Sequence, residues 1–142
     1  MNVGPTAQGA GRENLSNAAE ATIFFEPDSA SFGKVSSSNN NPASFPISVS
    51  NTTGADQTFS LAATKFTPST SPSLIPFDAG TTSAGDSRIS FPPSLTVPAN
   101  GTTTLTISVN PGLASGTVVQ GWITLTLSGG AAYHFAYYAV VP

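Results

Sequence analysis

The chain has 142 residues, with four basic and seven acidic side chains, one His, no Cys and a net charge of −3. That length suits one domain with a core that needs no cross-links. The sparse basic groups form no phosphate-neutralising patch, which argues against nucleic acid as a partner, and the missing cysteines exclude disulfides and thiolate metal sites. Roughly a quarter of the residues are Ser or Thr, which with 12 Pro and 13 Gly disfavours helix nearly everywhere.

Residues 1–21 (MNVGPTAQGAGRENLSNAAEA) are Gly- and Asn-rich and read as a tail or linker, followed by a domain over 22–142. A helix-compatible turn at 14–21, capped by Asn14 or Ser16, is too short to stand alone. No run has transmembrane length, so no membrane span is expected, and the first 20 residues lack the apolar centre of a signal peptide. Strands are expected at 22–26 (TIFFE) and 30–35, around a Pro27-Asp28 turn, with Phe32 inward. Residues 36–42 (SSSNNNP) form a loop by composition.

Residues 44–51 put Phe45, Ile47 and Val49 on one face, and 57–64 do the same with Phe59, Leu61 and Ala63. The turn at 51–54 between them predicts a hairpin. Residues 67–86 are rich in Pro, Ser and Thr and read as a long loop anchored by Leu74, Ile75 and Phe77. Two short pieces, 88–91 and 95–97, are flanked by prolines, as edge strands often are. Asn100-Gly101 then turns the chain into 102–109, where Thr103, Leu105, Ile107 and Val109 alternate.

The strongest local signal is 118–140, VVQGWITLTLSGGAAYHFAYYAV, two alternating runs joined by Gly129-Gly130. A two-residue turn would set Leu125 beside His134 and leave Phe135 on the opposite face. A three-residue loop over 129–131 sets Leu127 beside Tyr133, Leu125 beside Phe135 and Ile123 beside Tyr137. One residue of slip exchanges the faces, so burial selects the odd loop, with a left-handed glycine making a bulge. Trp122, Tyr138 and His134 then share the outward face.

Turn signals every eight to twelve residues or so predict an all-β, antiparallel two-sheet sandwich of the immunoglobulin or fibronectin III type, with about seven principal strands. Residues 21–35 (ATIFFEPDSASFGKV), 45–61 (FPISVSNTTGADQTFSL), 93–111 (PSLTVPANGTTTLTISVNP), 121–127 (GWITLTL) and 135–141 (FAYYAVV) together resemble the fibronectin III-like sandwich that follows the catalytic domain in many subtilisin-like serine peptidases. Asn100 departs from the family pattern, standing where a glycine is usual. The same pieces also suit an ASH-like or adhesin-type sandwich. The tail at 8–18 (QGAGRENLSNA) is similar to the end of the peptidase catalytic domain, with Gly9, Gly11 and Asn14 on the pattern and Glu13 off it. The resemblance implies that this chain is the C-terminal portion of a longer one, that Met1 is not its natural start, and that any signal peptide lies outside it. It also implies a bacterial secreted or cell-envelope location.

No catalytic residues are assigned. The only imidazole, His134, has no acidic residue near it in sequence to complete a triad, and it reads as a partly exposed strand residue. The run Gly80-Thr-Thr-Ser83-Ala-Gly85 misses the nucleophile-elbow spacing by one position and reads as a loop. Asp78 and Asp86 lack the dense spacing of a calcium loop and read as solvated residues; no metal or cofactor is expected. The sequons at Asn51 and Asn100 sit at turns and would be glycan acceptors only in a eukaryotic secretory pathway. Trp122, Tyr138 and His134 remain as the candidate contact surface. Two readings stand for Trp122: packing, including against the long loop or a neighbouring domain, and stacking on a ligand such as a sugar. The expected partners are an upstream catalytic domain of the same polypeptide, a protein substrate, or a cell-surface polysaccharide. The alternative function is a free-standing adhesion or carbohydrate-binding sandwich.

Overall fold

The computed structural model describes residues 2–3, 21–35, 43–68 and 79–142. The tail motif at 8–18, the loop at 36–42 and the anchors Leu74, Ile75 and Phe77 lie outside these residues. Among the described residues there are eleven strands: β1 (Asn2–Val3), β2 (Ile23–Glu26), β3 (Ser29–Lys34), β4 (Ala43–Asn51), β5 (Gln57–Pro68), β6 (Ala79–Ala84), β7 (Ile89–Ser90), β8 (Ser94–Val97), β9 (Thr102–Val109), β10 (Val118–Leu127) and β11 (Ala132–Val140). One sheet runs β1-β6-β5-β10-β11-β3, with β8 also paired to β5; the other runs β2-β4-β9-β7. The two form the fibronectin III-like sandwich, with several strands shorter than the seven principal ones expected.

Alternation sets the core. Ile47 and Val49 of β4, Leu105 and Ile107 of β9, Phe59 of β5, Ile123 and Leu125 of β10 and Phe135 of β11 are all fully buried between the sheets. Each such side chain contributes about 1.5–3 kcal/mol of transfer free energy. Phe25 packs its edge on Phe135, and the half-buried Phe32 meets Phe45 at 5.5 Å between centroids. The short strands β7 and β8 lie in different sheets, each with a single partner strand. β3 runs parallel to β11, the one parallel ladder between these strands.

Three details depart from the sequence reading. β4 and β5 are not a hairpin: β4 pairs with β2 and β9, and β5 pairs with β10, β6 and β8 in the opposite sheet. Period-2 alternation says which face is buried but not which strand lies alongside. The 51–54 turn is a corner between sheets, organised by the buried Asn51. Its Nδ2 donates to the carbonyls of Ala55 (2.8 Å), Val97 (3.2 Å) and Pro98 (3.1 Å). Its Oδ1 accepts from the Thr53 amide (2.9 Å) and hydroxyl (2.7 Å). The Asn100-Gly101 turn locks onto this corner through Asn51 N–H to Gly101 O and Asn100 N–H to Thr53 O, both 2.9 Å. Asn100 has φ of 50°, which accounts for a residue type that tolerates the left-handed region where glycine was expected.

The second departure is the β10–β11 register. Ile123 faces Phe135 and Leu125 faces Tyr133, two residues from the expected pairing, so the inward and outward faces come out as expected while the partners differ. The loop has three residues, 128–130, closed by Leu127 N–H to Ala131 O (2.8 Å) and Gly130 N–H to Leu127 O (2.9 Å). Its last position needs a positive φ, which Gly130 supplies at 97°. A loop over 129–131 would ask that conformation of Ala131, at a steric cost.

The third departure lies in 67–86. β5 continues to Pro68, and residues read as loop form β6, so the Ser83 run is strand rather than nucleophile elbow or loop. The side chains of Thr81 to Ala84 are exposed, so no apolar alternation marked the strand.

Gly121 sits where β10 passes Tyr137. A Cβ there would lie 2.2 Å from the Thr64 carbonyl oxygen and 2.5 Å from the Tyr137 hydroxyl. Gly121→Ala should therefore destabilise the fold by about 2–3 kcal/mol, because a backbone carbonyl cannot swing aside as a side chain can. A urea titration with unchanged midpoint would contradict this close approach.

Candidate functional site

The structure places Trp122, His134 and Tyr138 on the same outward face of the hairpin. Trp122 stands opposite Ala136, His134 opposite Thr124 rather than the expected Thr126, and Tyr138 opposite Gln120. Trp122 and Tyr138 therefore lie on a diagonal, whose backbone positions are about 7–8 Å apart in an antiparallel ladder. His134 is exposed, whereas Trp122 and Tyr138 are half-buried. The indole packs edge-on against Phe66, at 6.4 Å between centroids and 85° between planes. Phe66 is fully buried although its position on β5 points to the same outward side as Trp122. Sequence reasoning missed it because it falls out of step with Phe59, Leu61 and Ala63. Gln120 and Ala136 are also buried on this face, so its floor is closely packed.

Below it, on the inner side of the hairpin, is a polar cluster that sequence reasoning did not assemble. Arg88 donates through Nε to Asp86 Oδ1 (2.7 Å) and through Nη2 to Asp86 Oδ2 (2.6 Å), a bidentate pair. The Tyr137 hydroxyl donates to Asp86 Oδ2 at 2.5 Å. Arg88 Nη1 donates to the Val118 carbonyl at 2.9 Å, and Nη2 lies 3.5 Å from the Gln120 carbonyl. The Asp86 side chain is 0% exposed and that of Arg88 14%. Asp86 is thus neither a solvated residue nor a calcium ligand; Arg88 and Tyr137 occupy its oxygens. Asp78 lies outside the described residues. Two signals pointed this way: a Tyr on the inward face needs a partner for its hydroxyl, and an Asp-x-Arg is conspicuous in a chain only 8% charged.

Electrostatics fixes the charge states. Burial alone would raise the Asp86 carboxyl, but hydrogen bonds from Arg88 and Tyr137, with the guanidinium charge, hold it below the usual carboxylate range. Burial, reinforced by the neighbouring Asp86 carboxylate, pushes the Tyr137 phenol far above its ordinary value. The cluster is a closed anion–cation–phenol unit. Among the described residues, no three His, Cys, Asp or Glu side chains are placed to hold a metal ion. Asn51, with its amide fully engaged in the corner, cannot serve as a glycan acceptor in the folded chain.

A family model described as an Fn3-like domain matches residues 34–137, most of the chain. The chain belongs to the Fn3-like domain family. No curated protein matches this Fn3-like domain by sequence. Among solved structures it is similar to the ASH/PapD-like domain 7 of human CEP192, at 10% identity and a TM-score of 0.60, with 85% of each chain covered. It is also similar to a chain of the CsuC–CsuE chaperone–tip adhesion subunit pre-assembly complex from Acinetobacter baumannii, at 16% identity and a TM-score of 0.59. There the overlap is 85% of the Fn3-like domain and 57% of the other chain. A family 123 glycoside hydrolase from Clostridium perfringens shares the fold at 13% identity and a TM-score of 0.53; 80% of the Fn3-like domain covers only 23% of that chain. At such identities these likenesses speak for the fold alone.

Proposed function

We propose that this Fn3-like domain is a non-catalytic accessory module of a secreted or cell-envelope subtilisin-like serine peptidase, and that it meets its neighbours through the outward face of the β10–β11 hairpin. The observation that carries the contact surface is the grouping of Trp122, Tyr138 and His134 on one face of the paired strands β10 and β11, inside the larger sheet. The residues at 21–35, 45–61, 93–111, 121–127 and 135–141, with the tail at 8–18, support the peptidase assignment by resemblance. Its work in that setting is to buttress the catalytic domain or to hold substrate or surface near it. The upstream reading frame tests the assignment, which fails if it encodes no domain with the Asp, His and Ser motifs of that family. With such a domain in hand, Trp122→Ala should weaken its association with the module by about 2 kcal/mol, near thirtyfold in Kd, by calorimetry. Equal affinity of variant and parent would remove Trp122 from the contact.

The same three side chains favour a second reading, a free-standing adhesion or carbohydrate-binding sandwich. An aromatic pair beside a hydrogen-bonding imidazole suits stacking on a sugar ring. A polysaccharide pull-down separates the two: retention lost on Trp122→Ala, with the circular dichroism spectrum unchanged, favours the glycan, and no retention by the parent chain removes it.

A further inference from the structure

Core packing accounts for the inner side of β2, β4 and β9, but not for what their outer side displays. Phe24 of β2, at 49% exposure, is the large apolar side chain left open among the described residues. It stands opposite Ser50 of β4, which stands opposite Thr102 of β9, so the three form one row across the smaller sheet. The next row is Glu26, Ser48 and Thr104. Neighbouring strands lie about 4.8 Å apart, and successive rows on one face roughly 7 Å apart. Glu26, Thr102 and Thr104 are exposed, and Ser48 and Ser50 half-buried. β4 and β9 extend the face with Ser44 opposite Ser108. Cross-strand hydroxyl pairs hold it in place, Ser50 with Thr102 at 3.1 Å and Ser44 with Ser108 at 3.0 Å.

We propose that this outer face of β2, β4 and β9 binds a neutral polysaccharide, with a sugar ring stacked on Phe24 and its hydroxyls bonded to Glu26 and the Ser/Thr rows. The site lies on the opposite sheet from Trp122 and does not rest on the hairpin reading. A hydroxyl donates once and accepts twice, so a pair bonded to each other still turns a proton and lone pairs outward. That suits a partner made of hydroxyls, and the Glu26 carboxylate accepts from two of them at once. Phe24 supplies the aromatic surface beside them, in the same row as the Ser50–Thr102 pair. The charge pattern selects among partners. Ordinary surfaces mix charges of both signs, whereas Glu26 is the only charge in these rows. With no Lys or Arg beside it, and a net charge of −3 on the chain, an acidic polymer is repelled. Protein interfaces are depleted of Ser and acidic groups at their centre, so a protein partner fits the face less well.

Affinity electrophoresis of the whole chain tests the site, in gels containing a soluble neutral β-glucan, a neutral galactomannan or alginate. At least one neutral polymer should retard the chain, and alginate should not. Phe24→Ala should weaken that association by tenfold or more and Thr104→Val by threefold or more, with circular dichroism unchanged because both side chains are exposed. Trp122→Ala should change it by less than twofold. Retardation lost on Trp122→Ala but kept in Phe24→Ala would overturn this site and favour the hairpin face instead. No retardation in either neutral gel, or equal retardation by alginate, would also overturn it. So would a dimer in sedimentation that Phe24→Ala dissolves, which would assign the face to a second copy of the chain.

Discussion

Replacing Asp86 with alanine should lower the unfolding free energy by about 3–5 kcal/mol, the range seen when one partner of a buried ion pair is removed. The loss comes less from the attraction given up than from what is left behind: an Arg88 guanidinium that is 14% exposed, without its bidentate acceptor. The Tyr137 hydroxyl loses its acceptor in the same change. Urea denaturation at neutral pH measures it, and a loss below 1 kcal/mol would show that water or another group takes the carboxylate's place. The pH profile provides an independent reading. Because the Asp86 carboxyl is held below its unfolded value, the unfolded chain takes up the proton first as acid is added. Its contribution is complete above the ordinary Asp value of about 3.9 and drains away as the pH falls through the folded value. Tyr137 bounds the alkaline side. Its folded value is raised, so stability falls as the pH climbs past the ordinary tyrosine value of about 10. Asp86→Asn should flatten the acid limb.

Asn51→Ala should cost about 3 kcal/mol, since it strips a donor from three carbonyls and an acceptor from Thr53 in a buried corner. Asn51→Asp is the sharper comparison. The carboxylate keeps the Thr53 contacts but turns oxygen toward the carbonyls of Ala55, Val97 and Pro98, so it should be no better tolerated than alanine at neutral pH. If Asp restored most of the stability, the Thr53 contacts would be the important ones and the three carbonyl bonds incidental.

The buried faces were legible in the sequence because alternation reports them directly: Ile47 and Val49, Leu105 and Ile107, Ile123 and Leu125 all point inward as their spacing required. Neighbour relations were not legible to the same degree. Two successive amphipathic strands, β4 and β5, look alike whether they pair with each other or face each other across a core. The hairpin register slipped by two because the Gly-Gly pair marks a turn without saying which residue closes the loop, and the positive φ at Gly130 sets the three-residue loop at 128–130. β6 stayed hidden because exposed Thr and Ser carry no periodic signal. Asp86 and Tyr137, 51 positions apart, are joined by tertiary structure alone. Trp122, His134 and Tyr138 could be grouped beforehand because strand parity survives an even slip in register.

The parallel pairing of β3 with β11 has a mechanical consequence. Five residue pairs, from Ala136 with Ser29 to Val140 with Lys34, join the strand near the start of the sandwich to the one at its end. In a module tethered by both ends, tension from the N-terminal side first meets the two-residue pairing of β1 with β6 and then β2, a four-residue edge strand on the other sheet. Once β2 peels away, the pull on β3 and the opposite pull on β11 run along their shared ladder. Parallel strands drawn in opposite directions are loaded in shear, so the hydrogen bonds between them resist together rather than one after another. That geometry gives the sandwich tensile strength along the axis on which a tether would pull.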